Sequence, residues 1–189
     1  MKVIVFGVGG REHALIKALA SSTLVTEVHA VPGSDGISAE ALCHPIDPMD
    51  YDKLGSLIDR FSFDLAVVGP EAYLDKGLVD FLKRKSIPAV GPGQTSARLE
   101  SSKIFAKKFM VEAGVPTAPF FEVDSVESAE TAARKFKPPY VLKVDGLASG
   151  KGVFICKNIE ELQEKSDLVF NQKAFGGSGK VALLEEYQE

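Results

Sequence analysis

The sequence predicts an α/β protein in which a parallel, doubly wound sheet is followed by a second, α+β region. Through residues 1–93, short apolar runs that stop at glycine or proline alternate with amphipathic helical segments, the order that builds a parallel sheet. From about residue 95 the character changes to a long basic helix, then to strands and helices around a glycine-rich loop. With 45% hydrophobic and 25% charged residues, the 189 positions suffice for one large or two small buried cores.

The elements follow in order. Residues 2–6 form a β-branched run, residues 7–10 a glycine turn, and residues 11–20 a helix with Ala14, Leu15, Ala18 and Leu19 at helical spacing. A second strand covers residues 28–31 and ends in the turn Pro32, Gly33, Ser34, Asp35 and Gly36. A helix over residues 51–61 presents Leu54, Leu57, Ile58 and Phe61 on one face. A buried strand at residues 65–68 is stopped by Gly69 and Pro70, a helix spans 76–85, and a strand at 87–90 is stopped by Gly91 and Pro92. The boundary between the regions falls within residues 91–102, which gives domains of 1–100 and 101–189.

In the second region the spacing predicts one long helix over 97–113, ended by Gly114 with Pro116 beyond it. A strand at 119–123 precedes a helix capped by Asp124 or Ser125 and running to about Phe136. Strands at 140–144 and 153–156 flank the loop 145–152. Asn158 caps a helix to about Phe170, and residues 181–184 form the last strand.

Composition excludes several classes. No apolar stretch approaches the roughly 20 residues that cross a bilayer, and the first residues lack the features of a secretory signal. Cys43 and Cys156 stand far apart without a CxxC pair, which argues against a disulfide framework or zinc site and for a cytoplasmic protein. A net charge of −4 without a basic block argues against nucleic-acid binding. His13, His29 and His44 lack metal-ligand spacing, and His29, within a strand, reads as structural.

Three motifs carry chemistry. In the run Gly7, Val8, Gly9, Gly10, Arg11, Glu12 and His13, a GxGxxG dinucleotide fingerprint matches Gly7 and Gly9 but meets Glu12 at its third position. The acidic residue expected at the end of the second strand is replaced by Pro32 and Gly33, so a nicotinamide dinucleotide fails both tests. A helix N-terminus that favours an anion remains, beside the plainer reading of a structural turn. Glu71 follows a buried strand at the edge where doubly wound sheets bind ligands, or else it caps a helix. The loop Asp145, Gly146, Leu147, Ala148, Ser149, Gly150, Lys151 and Gly152 differs from a P-loop, since Gly152 stands where Ser or Thr is needed and strands flank it. It suits a flap whose backbone N–H groups cover a triphosphate, with Lys143 on the preceding strand pointing charge at the same phosphates.

These segments together resemble the phosphoribosylamine–glycine ligase family. The matching stretches are GVGGREHAL from Gly7, PGSDG from Pro32, VVGPEAYLDKG from Val67, GPGQTSARLESSKIFAKKFM from Gly91, LKVDGLASGKGV from Leu142 and LLEEY from Leu183. The resemblance implies a pre-ATP-grasp domain followed by part of an ATP-grasp domain, with a lid at about 120–187. It also implies ATP-dependent ligation of glycine to 5-phosphoribosylamine, with Mg or Mn ions, by a family of cytoplasmic monomers. Carried over by position, Lys103 and Lys143 would contact ATP phosphates, residues 145–152 would cover them, and Glu185, Glu186 and Tyr187 would form the adenine-reading hinge. Gly9, Gly10, Arg11, Glu12, Pro32, Gly33 and Glu71 would face phosphoribosylamine. Ser34, Tyr73 and the pair Ala148 and Ser149 depart from the family pattern. The family continues beyond the position of Glu189, and the resemblance puts the metal ligands there, so this polypeptide alone is expected to lack a complete catalytic centre.

Overall fold

The computed structural model describes residues 1–147 and 151–188, which fall into two compact units, Met1–Ala97 and Arg98–Glu189. In the first, β1 (Lys2–Gly7), β2 (Glu27–Pro32), β3 (Leu42–Cys43), β4 (Leu65–Val68) and β5 (Ala89–Val90) form one sheet in the order β3-β2-β1-β4-β5. Every pairing is parallel. The central strand is buried on both faces, as parallel sheets require. Ile4 and Phe6 pack with Leu54 and Ile58 of α2 (Tyr51–Phe61) and with Leu78 and Leu82 of α4 (Leu78–Arg84). Val3 and Val5 pack on the other face with Ile16 of α1 (Gly10–Ala20) and with Ile37.

Three expectations change in this unit. The helix anticipated at 76–85 is present as α4 but starts two residues later, because Gly77 adopts φ 82° ahead of it, and a separate short helix, α3 (Glu71–Asp75), precedes that turn. The strand anticipated at 87–90 is reduced to Ala89–Val90. A further short strand, Leu42–Cys43, pairs beside β2. His29 is buried as its strand position suggested. Its Nδ1 lies 2.8 Å from His44 Nε2, and Phe61 and Phe63 meet its ring edge-on. Burial first, then the His29 and Arg60 charges, hold the His44 imidazole below its ordinary pKa.

The second unit carries an antiparallel sheet in the order β6-β9-β7-β8, from β6 (Phe120–Val123), β7 (Tyr140–Val144), β8 (Val153–Cys156) and β9 (Ala182–Glu186). One face is covered by α7 (Val126–Ala133) and α8 (Ile159–Phe170), whose Ala129, Leu162 and Val169 pack against Leu142, Val144 and Leu184. Alternation along β7 and β9 turns Lys143 and Glu185 to the opposite face. Helix α7 takes Ser125 as its cap, and α8 takes Asn158, whose side chain accepts from the Glu161 N–H at 2.9 Å. Cys156 is buried, which pushes its thiol up to about 11, and both cysteines are free.

The helix expected over 97–113 is divided into α5 (Gln94–Ser101) and α6 (Lys103–Glu112). Ser102 leaves helical geometry at φ −132° and ψ 110°, and its side chain accepts from the Phe105 N–H, a serine N-cap that starts a new helix. Among the described residues, no helix is long and apolar enough to cross a membrane.

Candidate functional site

In the first unit the sheet order reverses between β1 and β4, and doubly wound sheets bind ligands at the C-terminal strand ends beside such a reversal. Gly7 ends β1 at φ 136°, and Gly9 caps α1. Gly7 pairs in register with Pro32 at the end of β2, and Gly33 follows at φ 78°. Glu71 opens α3 just beyond β4, and its Oε2 accepts from Arg11 Nη2 at 3.3 Å. The structure therefore gathers Gly9, Gly10, Arg11, Pro32, Gly33 and Glu71 along one edge of the sheet. A side-chain carbon on Gly10 would meet nothing within 4 Å, so its backbone faces open space. Arg11 and Glu71 keep side-chain exposures of 66% and 48%, and both remain accessible to a ligand.

Glu12 differs from its neighbours. It is only 3% exposed, and its Oε2 accepts from the Gly9 N–H at 2.8 Å, which satisfies the backbone donor at the start of α1. A Cβ at Gly7, Gly9 or Gly69 would collide with its carboxylate. The glycines thus make room for a glutamate where a dinucleotide fingerprint would hold its third glycine. Its carboxylate is turned into the protein, supporting the turn from beneath. Gly33 is packed as closely, against Cys43 Sγ.

In the second unit, α6 lies on the sheet face opposite α7 and α8. A cleft of about 440 Å³ there is lined by residues including Lys103, Ala106, Lys107, Lys143, Val153 and Glu185. Lys103 is the first residue of α6, and its Nζ donates to the Gly146 carbonyl at 3.1 Å. Lys143 Nζ donates to Glu185 Oε2 at 2.8 Å. The expected phosphate-contacting lysines therefore line one cleft, together with the expected hinge residue Glu185. Glu186 is half-buried and Tyr187 is 38% exposed, just past the strand.

The loop 145–152 is only partly described. Its base is closed by the Val144 N–H donating to the Gly152 carbonyl at 2.8 Å. Leu147 and Lys151 are exposed, while Ala148, Ser149 and Gly150 lie outside the described residues. Asp145, read as a member of the flap, directs its carboxylate to the start of α6. It accepts from Ser102 Oγ at 3.2 Å and from the Ile104 N–H at 3.1 Å. Helix N-termini favour such a negative charge, so Asp145 fixes the end of the helix that carries Lys103.

Sequence reasoning passed over Lys107. Its Nζ contacts Glu185 Oε2 at 3.0 Å and donates to Thr117 Oγ1 at 2.7 Å. Spacing held a signal, since residues four apart share a helix face and Lys103 was already singled out. Three lysines against two glutamates, Glu100 and Glu185, leave the cleft lining with an excess of positive charge, which suits a polyphosphate. Among the described residues no cluster of three His, Cys, Asp or Glu side chains could hold a metal ion. The described part therefore does not fit the Mg or Mn site that the family implies.

A doubly wound parallel sheet, followed by an antiparallel sheet with helices on one face and a lysine-lined cleft on the other, defines a protein of the ATP-grasp class. Residues 1–100 match the family model described as phosphoribosylglycinamide synthetase, N domain, and residues 101–189 match that family's ATP-grasp (A) domain. The chain belongs to the phosphoribosylglycinamide synthetase family. A phosphoribosylamine–glycine ligase of Phenylobacterium zucineum is 40% identical over 189 residues, which are 100% of this chain and 44% of that protein. The crystal structure of phosphoribosylamine–glycine ligase from Thermotoga maritima has a TM-score of 0.81 at 32% identity, covering 100% of this chain and 44% of that one. The biotin carboxylase domain of the Hydrogenobacter thermophilus 2-oxoglutarate carboxylase, solved with MgADP and bicarbonate, has a TM-score of 0.77 at 25% identity. It covers 100% of this chain and 44% of its own. The chain spans less than half the length of these relatives.

Proposed function

We propose that this chain supplies the nucleotide-phosphate and phosphoribosylamine-binding portions of an ATP-dependent ligase that joins glycine to 5-phosphoribosylamine. The observation that carries the reading is the convergence of Lys103 and Lys143 on one cleft, in a chain related to phosphoribosylamine–glycine ligases along its whole length. In the reaction, the glycine carboxylate takes the γ-phosphoryl group of ATP, giving glycyl phosphate and ADP. The amine of phosphoribosylamine then attacks the acyl carbon, phosphate leaves, and the amine proton is lost, giving glycinamide ribonucleotide. Phosphoryl transfer asks a protein mainly for positioning and for cations against developing negative charge. Lys103 and Lys143 supply those cations, residues 145–152 close over the phosphates, and residues 185–187 border the adenine. A Mg or Mn ion bound with the nucleotide would supply Lewis-acid chemistry.

Along the sheet edge of residues 1–100, the open backbone at Gly9 and Gly10 and the exposed Arg11 suit the 5-phosphate of phosphoribosylamine. Pro32 and Gly33 border the same edge, and Glu71 suits its amine or its ribose hydroxyls. Glu12 acts beneath them by holding the turn.

The test is ATP-dependent phosphate release with glycine and freshly generated phosphoribosylamine, on this chain and on the chain extended with the remaining portion of a relative. The expected result is release by the extended chain that needs both co-substrates and falls about a hundredfold in Lys143→Met. Release that ignores glycine, or that survives Lys143→Met unchanged, overturns the proposal.

A further inference from the structure

Two lysines share Glu185, and their surroundings differ. Lys107 Nζ lies 3.0 Å and Lys143 Nζ 2.8 Å from the same oxygen, Oε2. Lys107 also donates to Thr117 Oγ1 at 2.7 Å and to the Ala118 carbonyl at 3.2 Å, two hydrogen bonds that hold it in place besides its ion pair with Glu185. Lys143 has Glu185 as its single polar partner among the described residues. Side-chain exposures are 4% for Glu185, 12% for Lys107 and 29% for Lys143. A carboxylate buried this deeply needs a cation at all times, since an unpaired buried charge is strongly unfavourable. One lysine is fixed from three sides, and the other is held by a single contact at the mouth of the cleft.

We infer that Lys107 is a positioning residue, the standing counter-ion of Glu185, and that this lets Lys143 leave Glu185 for the phosphate oxygens of a bound nucleoside triphosphate. The inference rests on the nucleotide reading of this cleft. No covalent bond changes, as one ion pair is exchanged for another. Without Lys107, the exchange would strip a buried carboxylate of its last cation, and Lys143 would stay with Glu185. Lys103 needs no such arrangement, because its partner is a neutral carbonyl.

Two measurements on the chain test this. The first is ligand-free thermal unfolding, in which Lys107→Met is expected to lower the midpoint more than Lys143→Met. An equal or larger loss in Lys143→Met overturns the inference, because Lys143 would then be the anchor. The second is ATP affinity by calorimetry for the wild type, Lys107→Gln, Lys107→Arg, Glu185→Gln and the Lys107→Gln/Glu185→Gln double variant. Lys107→Gln is expected to weaken binding about tenfold, and Lys107→Arg to retain most of it. Glu185→Gln keeps the backbone that borders the adenine and releases Lys143, so it is expected to bind ATP more tightly than the wild type. The double variant should match Glu185→Gln, because Lys107 then has no carboxylate to hold. Simple charge counting gives additive effects instead, with the double variant back at wild-type affinity, and that result overturns the exchange alone. A wild type that binds no ATP overturns the nucleotide reading and the exchange with it.

Discussion

Glu12 holds the first glycine turn from within. Its carboxylate is buried under the glycine turn, accepts the Gly9 N–H and meets Arg11 Nε at 3.3 Å. Replacing it with alanine removes the acceptor and leaves that N–H unmatched. Glu12→Ala is therefore expected to destabilise the first unit by about 1–3 kcal/mol in urea unfolding. A loss below about half a kcal/mol, the range of ordinary surface substitutions, would show that its burial contributes little. The sequence singles out the GGREH run but not the direction of this residue. Gly69, one of the glycines that admit it, is remote in the chain and becomes its neighbour only once β4 pairs with β1. Lys107 escaped notice for a similar reason. Its partners Thr117, Ala118 and Glu185 come from segments that the fold alone brings together.

Among the elements, those with a strong period were legible and their interruptions were not. Helix α2 spans Tyr51–Phe61 as expected, because its apolar residues keep one face and Asp50 caps it, accepting from the Lys53 N–H. Periodicity runs straight through Ser102, so α5 and α6 read as one helix, while the five residues of α3 are too few to show a period. The break at Ser102 begins a new helix at Lys103 and lets Asp145 reach the Ile104 N–H. Ser102→Ala is expected to cost about 1–2 kcal/mol in thermal or urea unfolding of the second unit, as the loss of an N-cap does. A neutral Ser102→Ala would mean that Asp145 alone suffices to end the helix. The strand Leu42–Cys43 was missed because two residues carry no readable alternation.

At the scale of the molecule, the two-part architecture was legible because each part has its own grammar. Strand–helix alternation gives the parallel sheet, and the change to strands around a glycine loop marks a second, α+β part whose antiparallel pairing appears only in the fold. Both sheets form independent cores, and each presents its candidate binding residues away from them. Unlike the sheets, the chemistry rests on charges that converge only in the folded chain, with Lys103 at a helix start and Lys143 inside a strand. The most direct measurement labels the chain with an ATP acyl phosphate, which transfers its acyl group to lysines beside the nucleotide phosphates, followed by peptide mass spectrometry. The predicted result is acylation of Lys103 or Lys143 that excess ATP suppresses. Labelling spread over exposed lysines such as Lys53 and Lys108, indifferent to ATP, would contradict a nucleotide site in this cleft.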